Sequence, residues 1–255
     1  MRSAAKKNTE LRIIPLPLAV DVQPGDSLAE ILLSSLPPRK LAAGDILVIK
    51  HKIVSKAEGQ VVELNRISPS ASTRAWARRN QLDARVTEVA LAQSRRIVRR
   101  KRNVLITETR HGFICANSGV DVSNVNGGSQ ALLLPENPDR SALRLHRELK
   151  KRLQLSIPVI ISDSFGRPWR EGLTDVAIGL AGLRPLHDYR GRRDPHGYPL
   201  HSTVEAVADE LACAAGLVCG KLDRTPACII RGFAYQPGQG SAQQLIRPAR
   251  YDLFR

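Results

Sequence analysis

The stretch Ile157 to Asp175, IPVIISDSFGRPWREGLTD, gathers residue types that can do chemistry. Asp163 can hold a divalent cation through oxygen, and Ser164 sets a hydroxyl beside it. Arg167 and Arg170 follow, each with a forked set of donors suited to phosphate or carboxylate oxygens. The apolar, β-branched run Ile157 to Ile161 reads as a buried strand that stops at Ser162-Asp163-Ser164, with a turn at Gly166. A polar strand end of this kind is where an α/β protein places ligand chemistry. The plainer alternative is a strand end with a solvated turn, in which Trp169 anchors the loop by packing.

Three further polar clusters follow apolar segments in the same way. His51, Lys52, Ser55 and Lys56 follow Ile46 to Ile49. Asn117, Ser118, Asp121, Ser123 and Asn124 follow Phe113 to Ala116. Gly220, Lys221 and Asp223 follow a long helical stretch, with Arg231 beyond. Strands ending on one side of a sheet would bring these together. Asp121 and Asp163 with hydroxyls, and no His/Cys set, make a hard-oxygen site suited to Mg²⁺ or Mn²⁺. Lys56 and the two arginines would meet phosphate oxygens, so the clusters carry the equipment for phosphoryl transfer. Each has an ordinary structural reading: Asp121 as a turn former, Asn124 as a turn cap, Lys56 as a surface lysine. Asp188, Arg190 and Asp194 equally suit an exposed ion-pair loop. A GxxxxGK[ST] loop, HExxH and GxSxG are absent, which excludes the common nucleotide and hydrolase signatures.

The elements that must position these residues can be read from the pattern. The chain has 255 residues, 42% of them apolar and 4% aromatic, so its core is built from Val, Ile, Leu and Ala. Leu11 to Leu18 reads as an edge strand because it contains prolines. Asp26-Ser27 followed by Glu30 signals a helix start. Helices are expected over Ser70 to Asn80, Leu82 to Ala92, Asp139 to Leu153 and Thr203 to Val218. A hairpin is expected around His111-Gly112, and a core strand over Ala227 to Ile230. Gly179 and Gly182 would permit close packing. The fold class is α/β (α+β), with mixed sheets packed with helices, and nothing separates 1–255 into more than one domain. The net charge of +15 suits an anionic ligand or nucleic acid. The basic run Arg95 to Arg102 lacks interleaved aromatics for base stacking, so it reads as a solvated surface strand and no nucleic-acid partner is expected. Cys115, Cys213, Cys219 and Cys228 show no CxxC spacing and read as buried thiols in a reducing cytoplasm. No apolar run reaches the length of a membrane span.

Five segments in order resemble the coenzyme F420-0:L-glutamate ligase family: IVSKAEG (Ile53 to Gly59), ANSGVDVSNV (Ala116 to Val125), LLLPENPD (Leu132 to Asp139), SDSFGRPWREGLTDVAIGLAG (Ser162 to Gly182) and TVEAVADELACAAGLVCGK (Thr203 to Lys221). The resemblance runs from about Gly25 to Gly232. It implies the family's own intertwined α/β homodimer and a GTP-dependent ligase. GTP would phosphorylate a carboxylate of coenzyme F420-0, and L-glutamate would then be added, γ-linked, with Mg²⁺ or Mn²⁺ and K⁺ as cofactors. By motif, Asp121, Asp163 and Ser164 stand at metal positions. Lys56, Asn124 and the run Gly220, Lys221, Leu222 and Asp223 stand at nucleotide positions. His51 and Lys52 do too, although the family has small hydroxyl residues there. Lys221 departs from members that carry an acidic metal ligand after the glycine. The family's glycine-containing N-terminal nucleotide segment is not recognisable between Leu16 and Val22. The flavin-reductase-like domain that some relatives fuse at the C-terminus has no counterpart expected in 1–255.

Overall fold

The computed structural model describes residues 10–36, 41–123 and 128–253. Strand β1 (Arg12–Leu16) precedes helix α1 (Leu28–Ser34), whose N-cap Ser27 accepts from the Glu30 N–H, as the Ser-x-x-Glu spacing predicts. Strand β2 (Ile46–Lys50) runs directly into helix α2 (His51–Ala57). Then come β3 (Val61–Glu63), α3 (Ala71–Arg79), α4 (Ala84–Ala92), β4 (Ser94–Lys101), β5 (Val104–Thr109), β6 (Ile114–Ala116) and β7 (Gln130–Leu132). Helix α5 (Pro138–Leu153) leads to β8 (Val159–Arg167), β9 (Arg170–Ala181), β10 (His187–Asp188), β11 (Val204–Glu205), α6 (Val207–Cys219) and β12 (Ala227–Arg231).

The central sheet has the order β1-β12-β2-β8-β9. Strand β12 is antiparallel to both neighbours, β2 and β8 are parallel, and β9 returns antiparallel along β8. Ile46, Leu47, Val48 and Ile49 and the run Val159 to Ile161 are all buried. Strands covered on both faces read as continuous apolar runs in this way. Helices α5 and α6 pack on this sheet. Gly179 is where α5 comes closest, because a Cβ there would overlap the Pro138 backbone. A smaller core of Leu64, Val89, Ala90, Leu105, Val120, Ala131 and Leu133 joins α4 to the β4-β5-β6 and β3-β7 sheets.

The helices and strands expected from pattern are present within a few residues of their expected bounds, with one consequential exception. The strand through Ile161 does not stop at Ser162, and the chain does not turn at Gly166. Strand β8 continues to Arg167, Gly166 pairs with Leu173, and the turn is made by Pro168 and Trp169. A polar run can stay in a ladder because β9 satisfies its backbone and Asp175 faces Ser164 as a cross-strand partner. Trp169 is consequently 80% exposed at the ribbon tip, with φ +57°, and does not anchor a packed loop. The basic run forms β4, largely exposed, with Arg96 on Glu108 and Arg100 over the Trp76 ring. Cys213 is exposed, contrary to the buried reading, while the other three cysteines are buried. Among the described residues no helix is long and apolar enough to cross a membrane.

Candidate active site

The junction of β2 and α2 forms one wall of a cleft of about 700 Å³. Helical spacing sorts its side chains: Lys52 and Lys56, one turn apart, share a face and line the cleft, His51 borders it from a largely buried position, and Ser55 is buried behind. The middle of β8 contributes Asp163 and Ser164, and the chain after α6 contributes Gly220, Lys221 and Leu222. Gly220 caps α6 with φ +55°, which redirects the chain toward the cleft. Leu18, Val20, Asp21 and Val22 also line the cleft. Lys50, Lys52, Lys56, Lys221 and Arg224 face only Asp21 and Asp163 among the lining residues, so the cleft is electropositive.

Two carboxylates meet these cations: Asp163 lines the cleft, and Asp121 reaches it through Lys52. Asp163 Oδ1 accepts from the Ser164 N–H at 2.7 Å and lies 3.3 Å from His51 Nε2. Burial pushes the Asp163 carboxyl upward, but His51 and the Ser164 N–H outweigh it, and its pKa falls below the ordinary carboxylate value; the Asp121 charge opposes that fall. Asp121 is pinned by a backbone bridge to Leu132 and pairs with Lys52 Nζ at 2.6 Å, which also donates to Ser123 Oγ at 2.7 Å. Burial again pushes its carboxyl up, and Lys52 and the Ser123 N–H bring it below the ordinary value. Lys52 thereby bridges helix α2 to the loop after β6.

Among the described residues no cluster of three or more His, Cys, Asp or Glu side chains can hold a metal ion. Asp121 and Asp163 fit the alternative mode, in which one or two carboxylates bind Mg²⁺ or Mn²⁺ and phosphate and water complete the shell. Ser164 is differently committed: its hydroxyl donates to Asp175 Oδ1 at 2.6 Å and receives Lys221 Nζ at 2.6 Å. Behind it, Lys50 forms an ion pair with Asp175.

His51, Lys52, Lys56, Asp163, Ser164, Gly220, Lys221 and Leu222 thus converge on one cleft, with Asp121 reaching it through Lys52. Asn124 lies outside the described residues. Asp223 does not line the cleft, and its backbone oxygen accepts from Thr225. Arg167 and Arg170 sit beside the ribbon tip and do not line the cleft either, because β8 carries them past it. Arg231 grips Asp45 at the other end of β2. Asp188 and Arg190 form the exposed ion pair that the local sequence suggests. Lys50, Asp175 and Leu18 to Val22 were not legible as site residues. Lys50 closes an apolar strand like many surface lysines, Asp175 pairs with it across 125 positions, and Leu18 to Val22 carries no glycine motif.

The F420-0:gamma-glutamyl ligase family model matches residues 18–232. The chain is 45% identical over 250 residues to a coenzyme F420:L-glutamate ligase of Methanopyrus kandleri, covering 96% of this chain and 98% of the relative. It is 44% identical to the ligase of the same name from Methanothermobacter thermautotrophicus over 236 residues, 91% of this chain and 93% of that one. The corresponding Methanocaldococcus jannaschii protein is 44% identical over 213 residues, 83% and 85% of the two chains. With residues from four of the five motif segments drawn toward one basic cleft and likeness of this extent, the chain belongs to the F420-0:gamma-glutamyl ligase family, enzymes that form carbon–nitrogen bonds.

Proposed function

We propose that the protein uses GTP to join L-glutamate, through a γ-linkage, to coenzyme F420-0 in the cytoplasm. The observation that carries this reading is the cleft itself, where lysines from α2 and the α6 end surround Asp163 and the Lys52–Asp121 pair. Lys56, Lys52 and Lys221 would hold the nucleotide phosphates, and Asp121 and Asp163 would hold a Mg²⁺ or Mn²⁺ ion. That ion, when bound, neutralises charge on the phosphates. A carboxylate oxygen of the coenzyme precursor attacks the γ-phosphorus of GTP, and GDP leaves with the electrons of the broken P–O bond. The amine of L-glutamate then attacks the acyl carbon, phosphate leaves, and the amine nitrogen loses a proton to give the amide. The chain's contribution is to hold two anionic reactants in line against their mutual repulsion, which is the usual burden of phosphoryl transfer. No catalytic role falls to Arg167 or Arg170 within this chain. Their place beside an exposed ribbon tip with Trp169 and Leu173 suits a homodimer in which the ribbon meets a second copy.

The test is incubation with GTP, L-glutamate, coenzyme F420-0 and Mg²⁺ or Mn²⁺, with K⁺ added or omitted, read by mass spectrometry. One or more glutamyl additions with matching GDP release are expected. No addition, or addition with another amino acid or acceptor in preference, would overturn the assignment. Light scattering should give twice the 28.0 kDa chain mass.

A further inference from the structure

A chain of four side chains runs from the exposed Lys221 at the cleft surface through Ser164 to the buried Asp175 and Lys50, with hydrogen-bond directions fixed by valence. Lys221 Nζ lies 2.6 Å from Ser164 Oγ, and Ser164 Oγ lies 2.6 Å from Asp175 Oδ1. Lys50 Nζ closes on Asp175 Oδ2. An ammonium has donors only, so Ser164 must accept from Lys221 and spend its one proton on Asp175. Lys50 and Asp175 are both largely buried, with side chains 15% and 5% exposed, and their charges cancel. The Lys221 charge remains, tethered to Ser164, and among the described residues its other N–H donors have no protein partner, leaving them for a ligand. The packing is specific: Gly216 of α6 lies against Asp175, and a Cβ there would come within 2.6 Å of Asp175 Oδ2. The same helix ends at Cys219, so it sets both Asp175 and the start of Lys221.

These residues do not fit a second cation at this corner. The Ser164 oxygen already takes the Lys221 ammonium, whose positive charge opposes a metal ion there and which cannot itself be a ligand. We propose that Lys221 supplies a built-in cation for nucleotide phosphate in place of a second metal ion, and that Asp175, locked by Lys50, is the positioning residue holding it through Ser164. The inference rests on the nucleotide-ligase reading of the cleft.

The test measures binding rather than turnover: GTP affinity by calorimetry, and Mn²⁺ bound per protomer by electron paramagnetic resonance with equimolar GTP. The native protein should bind one Mn²⁺, and Lys221→Glu should bind two. Lys221→Met should weaken GTP by roughly ten- to hundredfold, the usual worth of a hydrogen bond to a charged group. Asp175→Asn should weaken GTP less, and the double variant no more than Lys221→Met alone; a merely structural Asp175 would add its loss independently. Ser164→Ala cuts the same chain without stranding a buried charge, so it serves if Asp175→Asn does not fold. Two Mn²⁺ on the native protein, a Lys221→Met affinity within twofold of native, or additive losses would overturn the inference while leaving the ligase reading standing. A native protein that binds no GTP would overturn both.

Discussion

Arg231→Met should destabilise the protein without touching the cleft, and the structure sets the size of the effect. Asp45, just before β2, is 0% exposed. Its carboxylate receives Arg231 Nε and Nη2, each at 2.7 Å, and the Ala42 N–H at 2.8 Å. Removing the guanidinium leaves a buried carboxylate with the Ala42 N–H as its remaining hydrogen-bond partner among the described residues, and breaking such pairs costs about 3–5 kcal/mol. The Arg231 side chain is 30% exposed, so water can enter the gap it leaves, which favours the lower end, about 3 kcal/mol. For a chain of this size that corresponds to a fall in Tm of roughly 6–12 °C. The Asp45→Leu/Arg231→Met double variant should recover most of the loss, because no charge is then stranded. Circular dichroism melts and GTP calorimetry on the same samples decide it. A Tm within 2 °C of native, or a tenfold loss of GTP affinity, would show that Arg231 belongs to the site and that the end-of-strand placement is wrong.

Asp163→Asn should abolish Mn²⁺-dependent turnover and lower Mn²⁺ affinity, while Tm moves by no more than about 1 kcal/mol of stability implies, since an amide oxygen can still accept from Ser164. Unchanged Mn²⁺ binding would remove Asp163 from the metal site. Lys56→Ala should raise KM for GTP by roughly tenfold and leave KM for L-glutamate nearly unchanged; equal effects on both would argue against a phosphate contact. Asp209 accepts from the Ala177 N–H, and burial raises its carboxyl pKa above the ordinary value. A raised folded pKa contributes stability that is present below the unfolded value near 3.9 and lost as pH rises through the folded value. Asp209→Asn keeps the acceptor and removes the charge, so its stability relative to native should climb with pH across that window. Urea melts from pH 3.5 to 7 showing a flat difference would refute this.

The parts of the fold that were legible are those governed by local pattern. Ser27 and Glu30 specify a helix start by spacing alone, and the apolar runs Ile46 to Ile49 and Ile157 to Ile161 admit little but burial. The nearness of Asp121 and Asp163 to the basic cleft was legible in part, because each stands in a polar cluster after an apolar strand; their role toward a hard cation is a proposal. What pattern could not supply was direction. The expectation that polar clusters at strand ends converge holds for β2, which delivers His51 to Lys56 at its C-terminal end. It fails for β12, whose antiparallel course puts Ala227 beside Ile49 and carries Arg231 to the opposite edge, roughly 13 Å away along the strand. For β8 it holds only in part: Asp163 and Ser164 line the cleft from inside a ladder that β9 covers, while Arg167 and Arg170 are carried past it. The Lys50–Asp175 pair shows the same limit in energetic form. Each residue alone looks like a charged residue near a strand end, and only the sheet order β2-β8-β9 puts them together as a buried neutral pair. A site assembled on neighbouring strands of mixed direction therefore hides its supporting charges from the sequence, even where the groups that would meet the substrate stand in plain view.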